Sequence, residues 1–215
     1  MGLHHHIDIY CERIEPGLLA EPLNALSNLA FILAAVAAFA LAKNKKALNG
    51  RVVTLIVLIA AIGFGSTLFH TYANVWSKFA DVLPILFFKI SFLIAYSHLV
   101  MGLRRPKILA LFAIFMALSI GSGMLPYSWF NGSLGYSPAL IFLIGFGLYH
   151  LKAQKQEPWI LLIAAGIFVI SLTFRSIDMV VCNALPIGVH YMWHILNGAV
   201  LYLSVRSIIM NIDKK

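Results

Sequence analysis

Residues 52–72 read VVTLIVLIAAIGFGSTLFHTY, a run with no Asp, Glu, Lys or Arg. As an α-helix it covers about 30 Å, the thickness of a bilayer's hydrocarbon core. Comparable apolar runs at about 24–42, 79–101, 107–123, 136–151, 158–177 and 187–209 predict six more spans. Pro22, Pro106, Pro138 and Pro158 stand where a first helical turn tolerates proline, and Pro186 lies just ahead of the last run. Pro84, about one turn into the third run, predicts either a kink or a helix start. With 61% hydrophobic and 11% charged residues and a mean hydropathy of +0.89, a soluble domain is excluded as the fold class. The expectation is an all-α, polytopic membrane protein with seven transmembrane helices. Residues 1–215 form one domain, with 1–22 an extracytoplasmic segment and 24–209 the bundle. The start reads as polar chain rather than a cleaved leader, because the first apolar run is long enough to stay embedded.

Sorting the basic residues by connection sets the orientation. Lys43, Lys45, Lys46, Arg51, Arg104, Arg105, Lys107, Lys152, Lys155, Arg206, Lys214 and Lys215 fall on one side, and Arg13, Lys78 and Arg175 on the other. The positive-inside rule then places the N-terminus outside and the C-terminus in the cytoplasm of a multi-pass cell-membrane protein. The net charge of +8 is thereby read as orientation signal, and no nucleic-acid partner is expected. Lys89 is left inside the third span.

An ionisable group within a membrane helix asks for a partner or a role. Ser66 and His70 lie four residues apart on one helical face at the end of the second run, and Asp81 opens the third. His190 and His194 begin the seventh as an i, i+4 pair whose imidazoles point the same way. All of these fall at outer ends of spans, where they can converge. Three histidines with an open fourth position are the donor set of a catalytic zinc, which supplies an acidified water and a polarised carbonyl for amide or ester hydrolysis. Asp81 is expected to orient a ligand imidazole or take the water's proton, and Ser66 to donate to the developing oxyanion. A site between membrane helices meets acyl chains more readily than soluble peptides, so the expected substrate is a lipid.

Blander readings stand beside these. Ser66 also suits close helix packing, and His98 and His150 fit interhelical hydrogen bonding or the membrane interface. Trp76, Trp129 and Trp159 read as interface anchors. Arg175 and Asp178 pair with each other or with loop backbone. Cys11 and Cys182 both fall on the outer side, where a bridge persists, or are two buried thiols that never meet. His4, His5 and His6 carry no functional weight.

Tyr10-Cys11-Glu12-Arg13, Ala20-Glu21-Pro22-Leu23-Asn24-Ala25-Leu26-Ser27-Asn28, Gly65-Ser66-Thr67-Leu68-Phe69-His70, Asp81, Ile177-Asp178 with Cys182, and His190-Tyr191-Met192-Trp193-His194 recur in a known order and spacing. They resemble the alkaline ceramidases and their bacterial relatives, within a superfamily of seven-helix metal hydrolases that includes adiponectin-receptor and hemolysin III-like proteins. The likeness spans almost the whole chain. The Cys-Glu and Glu-x-x-Asn segments favour the ceramidase branch. The resemblance implies zinc on His70, His190 and His194, with Ser66 and Asp81 beside the metal-bound water. It also implies cleavage of ceramide-like N-acyl lipids to a sphingoid base and a fatty acid, and a Cys11–Cys182 disulfide. Animal members bind calcium through an acidic N-terminal segment, and Glu12 and Glu21 look like two of its ligands. Here, however, Ile9 stands where an acid is expected, with Asp8 one position further away, and Ile14 stands where an amide ligand is expected.

Two other functions compete. A seven-helix receptor-like or lipid-binding protein with a structural zinc would keep metal and fold but have no turnover for Asp81 to support. A transporter would spread its acids and histidines across the bilayer as a relay. Here they cluster at one side.

Overall fold

The computed structural model describes residues 2–15 and 17–212; Lys214 and Lys215, sorted above with the cytoplasmic charges, lie outside the described residues. The described chain is all-helical, with α1 (Pro22–Ser27), α2 (Leu29–Asn44), α3 (Gly50–Tyr72), α4 (Val75–Leu99), α5 (Arg105–Gly123), α6 (Ser137–Lys152), α7 (Ile160–Val181) and α8 (His190–Ile209). α1 and α2 together make the first span, and a 3₁₀ turn over Trp129–Tyr136 leads into α6. Seven spans result, each long and apolar enough to cross a membrane.

Helix starts follow from side-chain caps. Asn49 accepts from the amides of Arg51 and Val52 to begin α3, and Asn74 forms a reciprocal capping box with Ser77 to begin α4. That second cap starts the third span at Val75 rather than near 79, so Asp81 sits in the second turn instead of at the opening. Pro84 lies inside α4, which settles its reading against a helix start. Proline has no N–H, so the carbonyl of Ala80, four residues earlier, is left without its helical donor. α3 closes on that carbonyl through Gly65: a Cβ there would lie 2.0 Å from the Ala80 oxygen.

α8 is the centre of the bundle. It buries His190, Trp193, His194, Asn197, Val200, Ser204, Val205 and Ile208, packing on α7 and α2, while α3 lies along α4 and α2. α5 is peripheral, touching α4 and α6 and burying only Phe115 among its residues. The outward faces stay apolar, with Leu33, Phe64 and Leu109 more than 60% exposed, as lipid-facing helices require. At the end bearing most of the basic residues, Arg206 pairs with Glu157 through two nitrogens. Nearby, His150 bridges α4 and the α6–α7 connection, with Nδ1 2.7 Å from the Tyr96 hydroxyl and Nε2 3.0 Å from the Gln156 carbonyl. His150 is thus the interhelical partner expected of it, and His98 is exposed at the end of α4.

Candidate metal centre

Consecutive spans alternate in direction, so the end of α3, the start of α4, the end of α7 and the start of α8 meet at the other end of the bundle. His70, His190 and His194 come together there, each buried, with one potential ligand atom per residue lying within 4.8 Å of the others. The i, i+4 pair behaves as helical geometry demands: the two rings on α8 are 4.7 Å apart between centroids, and His70 stands 4.7 Å from His194 and 5.3 Å from His190.

Two of the imidazoles have their tautomers fixed by neighbours. His70 Nδ1 is 2.5 Å from Glu21 Oε2, a carboxylate that can only accept, so Nδ1 carries the proton. Ser27 donates its hydroxyl proton to the Asn24 carbonyl at 2.8 Å and therefore accepts from His194 Nδ1 at 2.7 Å. Both rings then keep an unprotonated Nε2 for a cation, the usual arrangement in which an outer partner orients a metal-binding imidazole. In the third ring, His190 Nδ1 is buried without a hydrogen-bond partner. A buried imidazole nitrogen without a partner is unusual in a folded interior, and a cation among the three rings satisfies the cluster. The donor set fits a metal.

The residues before the first span form the roof. Tyr10 stacks on His190 at 3.8 Å between centroids and lies against His70 and Phe69. Burial pushes its phenol well above the ordinary tyrosine range against an opposing pull from Arg175, so it remains a neutral donor. Arg13 is buried and donates from Nε to Glu21 Oε1 at 2.6 Å, and from Nη2 to the His70 carbonyl at 3.2 Å. Burial alone would raise the Glu21 carboxyl, but hydrogen bonds from His70 and Arg13 outweigh it and hold the group below the ordinary carboxylate range. Glu12 accepts from the amides of Leu23 and Asn24 at 2.7 and 2.8 Å, satisfying donors at the start of α1. Further out, the backbone of residues 3–7 pairs with 73–76, so the stretch containing His4–His6 docks on the α3–α4 turn.

Asp178 anchors this roof to α8. Its Oδ1 accepts from the amides of Val189 and His190 at 2.8 and 2.9 Å, and its Oδ2 from the amide of Cys11 at 3.0 Å. Gly188 is required beside it: its φ is +64°, and a Cβ would stand 2.3 Å from Asp178 Oδ1. Cys11 and Cys182 form a disulfide across the same joint. Arg175 does not pair with Asp178; it donates to the Asn131 carbonyl and to Ser133 Oγ, and lies over Tyr136 and Trp193.

Reducing the disulfide, or replacing both cysteines by serine, is expected to lower Tm in detergent and weaken activity without abolishing it. A free chain closed over 171 residues would gain about 5 kcal/mol from the bridge, but helices that stay in the membrane leave less entropy to remove. A thermal melt with and without reductant measures the difference.

Gly65 of α3 packs on Ala80 and the Asp81 nitrogen of α4, so the next residues, Ser66 and Asp81, stand at the same α3–α4 contact. A family model described as Ceramidase matches residues 10–213, from the tyrosine stacked on His190 through the end of the last span. The chain belongs to the ceramidase family. No curated protein matches it. Within this ceramidase-family chain the structure brings His70, His190 and His194 together, while Tyr10, Arg13 and Ser27, not singled out as site residues from the sequence, lie beside them. The signal for Ser27 was the segment Glu21-Pro22-Leu23-Asn24-Ala25-Leu26-Ser27, in which a hydroxyl stands six residues after the acid.

Inside the bundle lies an apolar cavity bordered by Phe31, whose ring stands 6.2 Å from that of His194, and by Trp193 and Asn197 of α8. Ile62 of α3, about two turns before His70, also lines it, and the lining continues along α4, α6 and α8.

Proposed function

We propose that the chain is a zinc-dependent integral-membrane amidase that cleaves ceramide-like N-acyl lipids to a sphingoid base or other amine and a free fatty acid. The reading rests on one observation: three buried imidazoles, two of them oriented by Glu21 and Ser27, draw together at one end of the bundle, beside an apolar cavity that Phe31, Trp193 and Asn197 border. Family membership supports amide chemistry and a lipid substrate.

A zinc ion held by His70, His190 and His194 would supply Lewis acidity, polarising the scissile carbonyl and acidifying a water. The cavity takes the acyl chain and places its carbonyl at the level of the histidines. Asp81 accepts the proton of the attacking water and returns it to the leaving nitrogen. Ser66 donates to the oxygen on which charge develops. Tyr10 covers the histidines and keeps bulk water from them. The site faces the extracytoplasmic side in this reading, because the basic connections gather at the opposite end of the bundle.

Calcium at Glu12 and Glu21 does not fit this arrangement. Both carboxylates are engaged by protein donors, and the buried Arg13 guanidinium already supplies the positive charge beside Glu21. A calcium chelator that spares zinc is therefore expected to leave Tm and activity unchanged. Arg13→Gln, by contrast, is expected to lower metal affinity about 10- to 100-fold by loosening the support of His70. Zinc titration of the variant and melts with and without calcium test the two statements.

The deciding experiment measures zinc content and fatty-acid release from a panel of N-acyl sphingoid and other N-acyl lipids, comparing wild type with Asp81→Ala. Stoichiometric zinc in both proteins, with cleavage only by wild type, is the expected result. Zinc without cleavage of any lipid would instead favour a receptor-like or lipid-binding protein, and absence of bound metal would sink the site.

A further inference from the structure

Lys89 is the one charged side chain lining the apolar cavity. Among the described residues it has no hydrogen bond or ion pair, and no acidic side chain lies close enough to act on it. Its Nζ lies 5.4 Å from the centroid of the Tyr136 ring, and that ring packs on Trp193, the neighbour of His194. The Lys89 backbone stands eight residues beyond Asp81, roughly 12 Å deeper along α4, and its ammonium lies against the Tyr136 ring at the start of α6. An ammonium in such surroundings is costly unless an anion accompanies it. The described residues supply none, so the ligand is the remaining source.

We propose that Lys89 is a carboxylate anchor, so that the cavity binds a long-chain fatty acid as its anion with the carboxylate on the Lys89 ammonium and the chain among the aromatic and aliphatic lining. The inference rests on the amidase reading of the same site and deepens it. Amide hydrolysis yields an acid and an amine, and a carboxylic acid with a pKa of about 4 to 5 passes its proton to the amine at neutral pH. The carbon chain that enters as a neutral amide therefore leaves as an anion. A neutral amide gains nothing from Lys89 beyond a hydrogen bond, whereas the released carboxylate meets a matching charge in a low-dielectric chamber. Lys89 draws the product away from the histidines without competing for the substrate.

The test uses holoenzyme and two ligands of equal chain length, palmitate and hexadecanol, whose binding is measured by displacement of a fluorescent lipid. Wild type is expected to bind palmitate at least tenfold more tightly than hexadecanol. Lys89→Met is expected to bring the two within threefold, chiefly by losing palmitate, and Lys89→Arg to restore the preference. Hexadecanol binding by the methionine variant reports that its chamber is intact. Equal binding of acid and alcohol by wild type overturns the proposal whatever the variants do. So does a methionine variant that retains the full preference, since the metal centre would then be the anchor. Cleavage of N-acyl lipids with no acid preference removes Lys89's role and leaves the amidase reading standing. An acid preference without cleavage of any lipid does the reverse.

Discussion

His194→Ala is expected to carry no stoichiometric zinc and to lose amide cleavage by at least about three orders of magnitude. His194 contributes one of three nitrogens in the cluster, and its loss leaves His70 and His190 on different helices, with nothing to close the set. The change also removes the N–H that donates to the Ser27 hydroxyl. A graded comparison separates ligand from support. Ser27→Ala keeps all three imidazoles but frees the His194 ring, and is expected to reduce metal affinity only about 10- to 100-fold. Metal analysis of the two proteins, together with lipid turnover at saturating zinc, distinguishes them: excess zinc rescues Ser27→Ala and not His194→Ala. Equal metal content in His194→Ala and wild type would overturn the assignment of this residue.

Gly65→Ala adds a single methyl group at a point remote from any imidazole, yet it is expected to reduce kcat/KM about a hundredfold. The added carbon would lie 2.0 Å from the Ala80 oxygen, 2.7 Å from its carbonyl carbon and 3.2 Å from the Asp81 nitrogen. Both partners are helix backbone, so α3 and α4 must move apart rather than a side chain swing aside. Ser66 follows Gly65 and Asp81 follows Ala80, and separation of the backbones therefore separates the two groups assigned to proton transfer and oxyanion stabilisation. Misplacement of about 1 Å is enough for a loss of this order. Overpacking adds a stability loss of about 1 to 3 kcal/mol, visible as a lower Tm. Wild-type kcat/KM in this variant would mean that the α3–α4 contact does not set the distance between Ser66 and Asp81.

The span count and the convergence of Ser66, His70, Asp81, His190 and His194 were legible because both follow from periodicity along single helices and from alternation between them. The supports were not. Glu21 reaches His70 across 49 residues and Ser27 reaches His194 across 167, and no spacing rule joins a short helix near the start of the chain to imidazoles on two distant spans. Glu12 and Glu21 attracted a calcium reading only through the resemblance to animal ceramidases. What the fold does with them depends on where Arg13 points, which only packing decides. Asp178 was ambiguous for a related reason: its acceptors face backbone amides, and amides carry no sequence signature. The early start of α4 was readable in Asn74-Val75-Trp76-Ser77, but the apolar run, beginning later, masked it.

The roof over the histidines has a temporal consequence. Tyr10, Arg13, Glu21 and Ser27 are synthesised first, whereas Asp178, His190 and His194 emerge last, so a ribosome has made most of the chain before the two sets can meet. A nascent or stalled intermediate that lacks α8 holds one imidazole of the three and cannot attack lipid. If the proposed amidase reading holds, hydrolytic competence arrives only with complete insertion, which shields the host bilayer from a half-built enzyme at the moment when the chain is most closely mixed with it.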